Sequence, residues 1–209
     1  MSRTKNDKKR PNYKRTAIEW GVIGLILALL YFSGLHTPVI GTLQRAMLWT
    51  GFFDADTSRI ATTDGAFLSE NDFNFMMENE EGEETTLEDF RGEVVFVNVW
   101  ASWCPPCVAE MPTIKKLHEN VGGGDSEGVR FILLSMDQER QKAIEFMENK
   151  DMDIPYYFPA SPLPAVFQNE YLPSTYVISK EGQIVYEKEG IADYSSQNFA
   201  LWMLELTEK

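Results

Sequence analysis

The chain has 209 residues, with 19 Lys and Arg against 32 Asp and Glu, for a net charge of −13. That length suits one globular domain with an extension, and the acidic balance argues against nucleic acid as a partner, because phosphate binding needs clustered cations. The only two cysteines stand three apart, and the histidines His36 and His118 are isolated, so the four ligands of a structural zinc site are not available.

Residues 1–16 form a basic tail in which Arg3, Lys5, Lys8, Lys9, Arg10, Lys14 and Arg15 face Asp7 as the single acid. Residues 17–35 then run apolar from Ala17 to Leu35, with Glu19 as the one charge. Nineteen residues come close to the ~20 that span hydrocarbon, and the basic flank predicts a cytoplasmic N-terminus. A cleaved signal peptide would have a shorter apolar region ending in a small-x-small site. The segment Tyr31-Phe32-Ser33-Gly34-Leu35-His36 supplies no such site, so the expectation is an uncleaved signal-anchor in the cytoplasmic membrane. From His36 onward there are 12 Lys and Arg against 30 Asp and Glu. This acidic part is expected outside the cytoplasm, periplasmic or extracytoplasmic, where thiols meet an oxidising medium and a reduced pair needs an electron supply.

Residues 36–69 read as a connector. Val39, Ile40, Leu43, Met47, Leu48 and Phe52 lie near helical spacing beside Trp49, as in a helix at the membrane interface or one packed on the domain. The domain proper is placed at 70–209. A short strand is expected at Phe73–Met77 and an acidic loop over 78–86. Val94–Trp100 is apolar on both faces, as in a central strand covered by helices. A helix follows from Pro105 to about Asn120, interrupted in its hydrogen bonding at Pro112 and ended by Gly122-Gly123-Gly124. A buried strand (129–136) and a helix (138–149) come next. After a Pro- and aromatic-rich stretch (151–170), an antiparallel pair is expected at 174–179 and 183–189, then a last helix at 195–206. This order suits a mixed central sheet with helices on both faces, an α/β fold.

The chemistry lies in Trp103-Cys104-Pro105-Pro106-Cys107, placed at a strand-to-helix turn. Two thiols so spaced can close into a disulfide and reopen without disturbing the fold, which is the layout of a redox centre. The loop they close is too small to constrain the unfolded chain much, so a structural staple is the poorer reading. Cys104 falls at the helix N-terminus, where unpaired N–H groups and the dipole favour a thiolate. It is the expected nucleophile, and Cys107, one turn in, resolves the mixed disulfide. Pro105 and Pro106 bring no backbone donors, which argues for a reducing poise.

From Leu87-Glu88-Asp89-Phe90-Arg91-Gly92 through Cys104-Pro105-Pro106-Cys107-Val108-Ala109-Glu110-Met111-Pro112, the chain resembles the thioredoxin superfamily. Within it, the match is to the TlpA/ResA-like membrane-anchored thiol–disulfide oxidoreductases. A second match is Leu172-Pro173-Ser174-Thr175-Tyr176-Val177-Ile178. The resemblance implies a thioredoxin-like fold with no cofactor. It implies a catalytic glutamate at Glu110 that tunes the thiols. Thioredoxins carry a proton-transferring Asp six residues before the first Cys, and Asn98 stands there instead. Pro173 matches the superfamily's cis-proline, with Leu172 offering its backbone to a client. Trp103, Pro105 and Pro106 complete the implied substrate-binding surface. The implied partners are extracytoplasmic protein disulfides, an apocytochrome awaiting haem among them, and a membrane protein that supplies electrons. Two rival functions fit the residues less well. A peroxiredoxin-like peroxidase wants a single Pro/Thr-flanked peroxidatic Cys, which this motif does not match. A non-catalytic binding module would not need the intact Cys pair.

Overall fold

The computed structural model describes residues 65–122 and 129–208. The expected anchor (17–35), the basic tail and most of the connector lie outside the described residues, and no helix among the described residues is long and apolar enough to cross a membrane.

The elements in chain order are α1 (Glu70–Phe73), β1 (Met76–Glu78), β2 (Glu84–Thr86), a 3-10 turn (Leu87–Phe90), β3 (Val94–Trp100), α2 (Pro105–Asn120), β4 (Val129–Ser135), α3 (Arg140–Asn149), β5 (Tyr156–Pro159), a second 3-10 turn (Ala165–Phe167), β6 (Ser174–Ile178), β7 (Ile184–Glu189) and α4 (Gln197–Thr207). The strands form one seven-stranded sheet in the order β2-β1-β5-β4-β3-β6-β7. β4 is parallel to both β3 and β5, and the other pairings are antiparallel. The α/β thioredoxin-like architecture with a mixed sheet is therefore present.

Helices do cover both faces, but unequally. The crossovers β3–α2–β4 and β4–α3–β5 step in the same direction across the sheet, and right-handed crossovers in one direction land on one face. α4 joins them there. That face packs Phe96, Trp100, Phe131 and Leu133 against Met111 and Ile114 of α2, Met147 of α3 and Phe199 and Met203 of α4. The opposite face, with Val95, Val97, Val99, Ile132 and Leu134, is closed, among the described residues, by short pieces through Leu68, Phe73, Leu87 and Phe167. All seven residues of β3 are buried, as a strand covered on both sides requires.

Two local expectations are corrected. Phe73 ends a one-turn helix instead of opening a strand. Ser69 and Asp72 close a reciprocal capping box, the Ser69 side chain accepting from the Asp72 N–H and the Asp72 carboxylate accepting from the Ser69 N–H at 2.8 Å. The acidic stretch 78–86 is a hairpin with a loop at its tip. The Asn79 side chain accepts from the N–H groups of Glu81 (3.1 Å) and Glu83 (2.8 Å), and Gly82 takes a φ of 82°. Its second strand, β2, lies at the sheet edge, where charged side chains stay in water and discourage edge-to-edge pairing.

Candidate active site

β3 ends at Trp100, and the chain turns through Ala101-Ser102-Trp103 into α2. Cys104 is the N-cap of that helix and Cys107 lies in its first turn. The two are joined as a disulfide with Cα atoms 5.3 Å apart. Cys104 is 4 % exposed and Cys107 fully buried, while Trp103 beside them is 62 % exposed. Pro105 and Pro106 occupy the first two helical positions, so the first backbone donor of the helix belongs to Cys107. That N–H donates to Cys104 Sγ at 3.3 Å. The next, from Val108, is used by the Cys104 carbonyl at 3.1 Å. A thiolate on Cys104 thus has one directed backbone donor, fewer than a helix without the two prolines could aim at it.

The turn is held from β4. Asp137, just past the strand, accepts from the Ser102 N–H (2.8 Å), the Ser102 hydroxyl (2.6 Å) and the Ser135 hydroxyl (3.0 Å). The Met136 N–H donates to the Trp100 carbonyl at 2.8 Å. Register brings the remaining wall. Val99 pairs with Ser174, so the residues just before β6 lie beside the end of β3. The Leu172–Pro173 peptide is cis, and the Pro173 carbonyl accepts from the Gly190 N–H at 2.8 Å.

Glu110 lies one turn beyond Cys107 and is wholly buried. The pleat of β3 places Asn98 between Phe96 and Trp100 on the face that α2 covers. Its Nδ2 donates to Glu110 Oε1 at 2.8 Å and to Thr175 Oγ1 at 2.9 Å. The Ala192 N–H donates to Glu110 Oε2 at 3.2 Å. Burial disfavours the charged form and outweighs the two hydrogen bonds that favour it, so the carboxyl is pushed up to about 8. A group poised there can both take and give a proton near neutrality. His118, the other titratable side chain buried along α2, lies edge-on to Phe131 with ring centroids 4.9 Å apart, and burial holds it below its usual value.

The structure therefore gathers Trp103, Cys104, Pro105, Pro106, Cys107, Glu110, Leu172 and Pro173 at one end of the sheet. Sequence reading missed Thr175, the Ala192 N–H and the Ser102–Asp137–Ser135 clamp. For Asn98 there was a signal, since a polar residue in a strand buried on both faces must find a partner. Nothing local marked Ala192, whose contribution is a backbone group.

Residues 69–198 match the Redoxin family. The chain belongs to the Redoxin family. It is a TlpA/ResA-like protein of the thioredoxin superfamily. It is 30 % identical over 118 residues to the thiol-disulfide oxidoreductase ResA of Bacillus thuringiensis subsp. konkukian, a match covering 56 % of this chain and 66 % of that one. The chain thus spans just under two thirds of that relative's length. Among solved structures, a protein from Chlorobium tepidum described as a thiol:disulfide interchange protein DsbE aligns with a TM-score of 0.57 at 19 % identity. The alignment covers 68 % of this chain and 96 % of that one. A secreted thiol-disulfide isomerase from Corynebacterium glutamicum aligns at 0.53 and 22 % identity, covering 69 % and 92 %. At these identities the two structures speak for the fold alone.

Proposed function

We propose that this protein is a membrane-tethered thiol–disulfide oxidoreductase that reduces disulfides of extracytoplasmic proteins. The observation that carries the reading is the Cys104–Cys107 disulfide at the N-cap of α2, with a buried carboxyl one turn further on. In the reduced state the Cys104 thiolate attacks a client disulfide. The client S–S bond breaks, a bond from Cys104 to one client sulfur forms, and the other client sulfur leaves as thiolate. Glu110 takes the proton of Cys107, whose thiolate then attacks the Cys104 sulfur. The Cys104–Cys107 disulfide re-forms and the client leaves with both sulfurs reduced, so two electrons pass to it. A membrane thiol donor restores the dithiol by the reverse exchange.

Trp103, Pro105, Pro106, Leu172 and Pro173 form the client-facing surface in this reading, with the Leu172 backbone pairing to an extended client segment. The family resemblance points to an apocytochrome with an oxidised Cys pair as one such client. The basic tail and the apolar run 17–35 support a single-pass anchor with the redox domain outside the cytoplasm. The test is reduction of insulin by the purified full chain with dithiothreitol as electron source. Turnover that disappears in both Cys104→Ala and Cys107→Ala supports the reading, and no acceleration over dithiothreitol alone overturns it.

A further inference from the structure

Asn98 occupies a place in the apolar helix-facing layer of β3, between Phe96 and Trp100, and is itself fully buried. A side chain that cannot titrate would be an expensive choice there if its task were only to fill space, because burying an amide without partners is costly. Its nitrogen does have partners, whereas its Oδ1 has none among the described residues, and the placement of those partners is informative. One amide nitrogen serves Glu110 on α2 and Thr175 on β6, at 2.8 and 2.9 Å. Thr175 is two residues past the cis-proline Pro173. The other carboxylate oxygen of Glu110 is held by the Ala192 N–H, two residues past Gly190, whose own N–H holds the Pro173 carbonyl. Each oxygen of the buried carboxyl is thus tied, through one intermediate group, to the strand end that carries Pro173.

We infer that Asn98 is a positioning residue for Glu110, sharing its amide with Thr175 to fix the carboxyl against β6 and to favour its ionised form. As a neutral donor it leaves Glu110 as the single carboxyl at this place among the described residues. Two carboxyls in contact cannot both ionise, so an aspartate here would split the titration between them. The groups around Glu110 are few. Cys104 and Cys107 precede it on its own helix. Asn98 comes from β3, Thr175 from β6 and the Ala192 amide from the loop before α4. Tyr194 from that loop is held well above its usual value by burial and then by the Glu110 charge. Among the described residues no cation acts on the carboxyl, whose state is set by burial and by the two N–H donors. Removing one of the two should therefore be felt.

This inference rests on the oxidoreductase reading for its functional meaning, but its test needs no client. The oxidised full chain is labelled with 13C-glutamate, and the Glu110 carboxyl resonance is assigned by its loss in Glu110→Gln and followed against pH. In Asn98→Leu the midpoint should rise by about one to two pH units, the equivalent of one hydrogen bond to a charged group. In Asn98→Asp the titration should become two-stepped, with the upper step above that of the parent. Thr175→Val, which removes the second anchor, should raise the midpoint by less than Asn98→Leu, and Thr175→Ser, which keeps the hydroxyl, should restore it. If Asn98→Leu does not fold, the Thr175 pair carries the test. Parent-like midpoints in Asn98→Leu and Thr175→Val overturn the inference, as does a Thr175→Ser midpoint that moves with that of Thr175→Val. Failure of insulin reduction by the parent chain would instead sink the oxidoreductase reading and leave the titration result standing.

Discussion

Glu110→Gln should remove the part of the pH-dependent stability that this carboxyl contributes. The carboxyl has an ordinary value of 4.5 and is pushed up to about 8 in the folded chain. Below pH 4.5 both folded and unfolded chains hold the proton, and above pH 8 both have lost it. Between these limits the unfolded chain has released a proton that the folded chain retains, so the unfolded state binds fewer protons and stability falls as pH rises. At about 1.36 kcal/mol per pH unit, the gap corresponds to roughly 5 kcal/mol across the window. The glutamine has no such dependence. It brings its own constant penalty of about 1–3 kcal/mol, because its amide NH2 must face the N–H of Ala192 or the NH2 of Asn98. That penalty shifts the variant's curve without tilting it. The assay is urea unfolding of the oxidised full chain at half-unit steps from pH 4.5 to 8.5, taking the parent-minus-variant difference. The parent should lose several kcal/mol relative to the variant as pH rises. Parallel curves would refute the reasoning, because they would mean that the Asn98 and Ala192 hydrogen bonds keep Glu110 ionised throughout despite its burial.

The same variant, losing the negative charge that Glu110 acquires as it titrates near pH 8, should lower the cysteine pKa values and slow disulfide exchange, checked by thiolate absorbance and stopped-flow kinetics. Cys107→Ala should accumulate mixed disulfides with clients and Cys104→Ala should not, read on non-reducing gels; the opposite pattern would exchange the two roles. Asp137→Ala leaves the Ser102 N–H without its acceptor and should cost about 2 kcal/mol, seen as a fall of several degrees in Tm. Trp103→Ala should raise KM for a protein disulfide while changing stability by no more than about 0.5 kcal/mol, since the side chain is 62 % exposed. A reporter fused after Lys209 should be active only outside the cytoplasm, and recovery of a soluble chain beginning near residue 35 would remove the anchor.

The sequence alone determined what depends on local spacing and on composition. The Cys104–Cys107 interval, the apolar run of β3 and the prolines opening α2 each carry their meaning within a few residues, because helix capping, thiolate placement and strand burial are short-range effects. Elements were less legible where they are short. The capping box at Ser69 uses Asp72 in place of the usual Glu or Gln, and the hairpin around Asn79 hides in a run of acids whose charges look like loop. Only the tertiary structure decided which helices share a face, since that follows from the order in which strands are added to the sheet. It also decided the state of Glu110. From the sequence, that side chain has a rival reading as an exposed carboxylate on a helix. It becomes a buried, proton-holding group because β3, β6 and the loop before α4 close over it. They bring Asn98, Thr175 and the Ala192 N–H from positions 12 to 82 residues away along the chain. Burial and long-range hydrogen bonds are properties of packed surfaces, and no local run of residues encodes them.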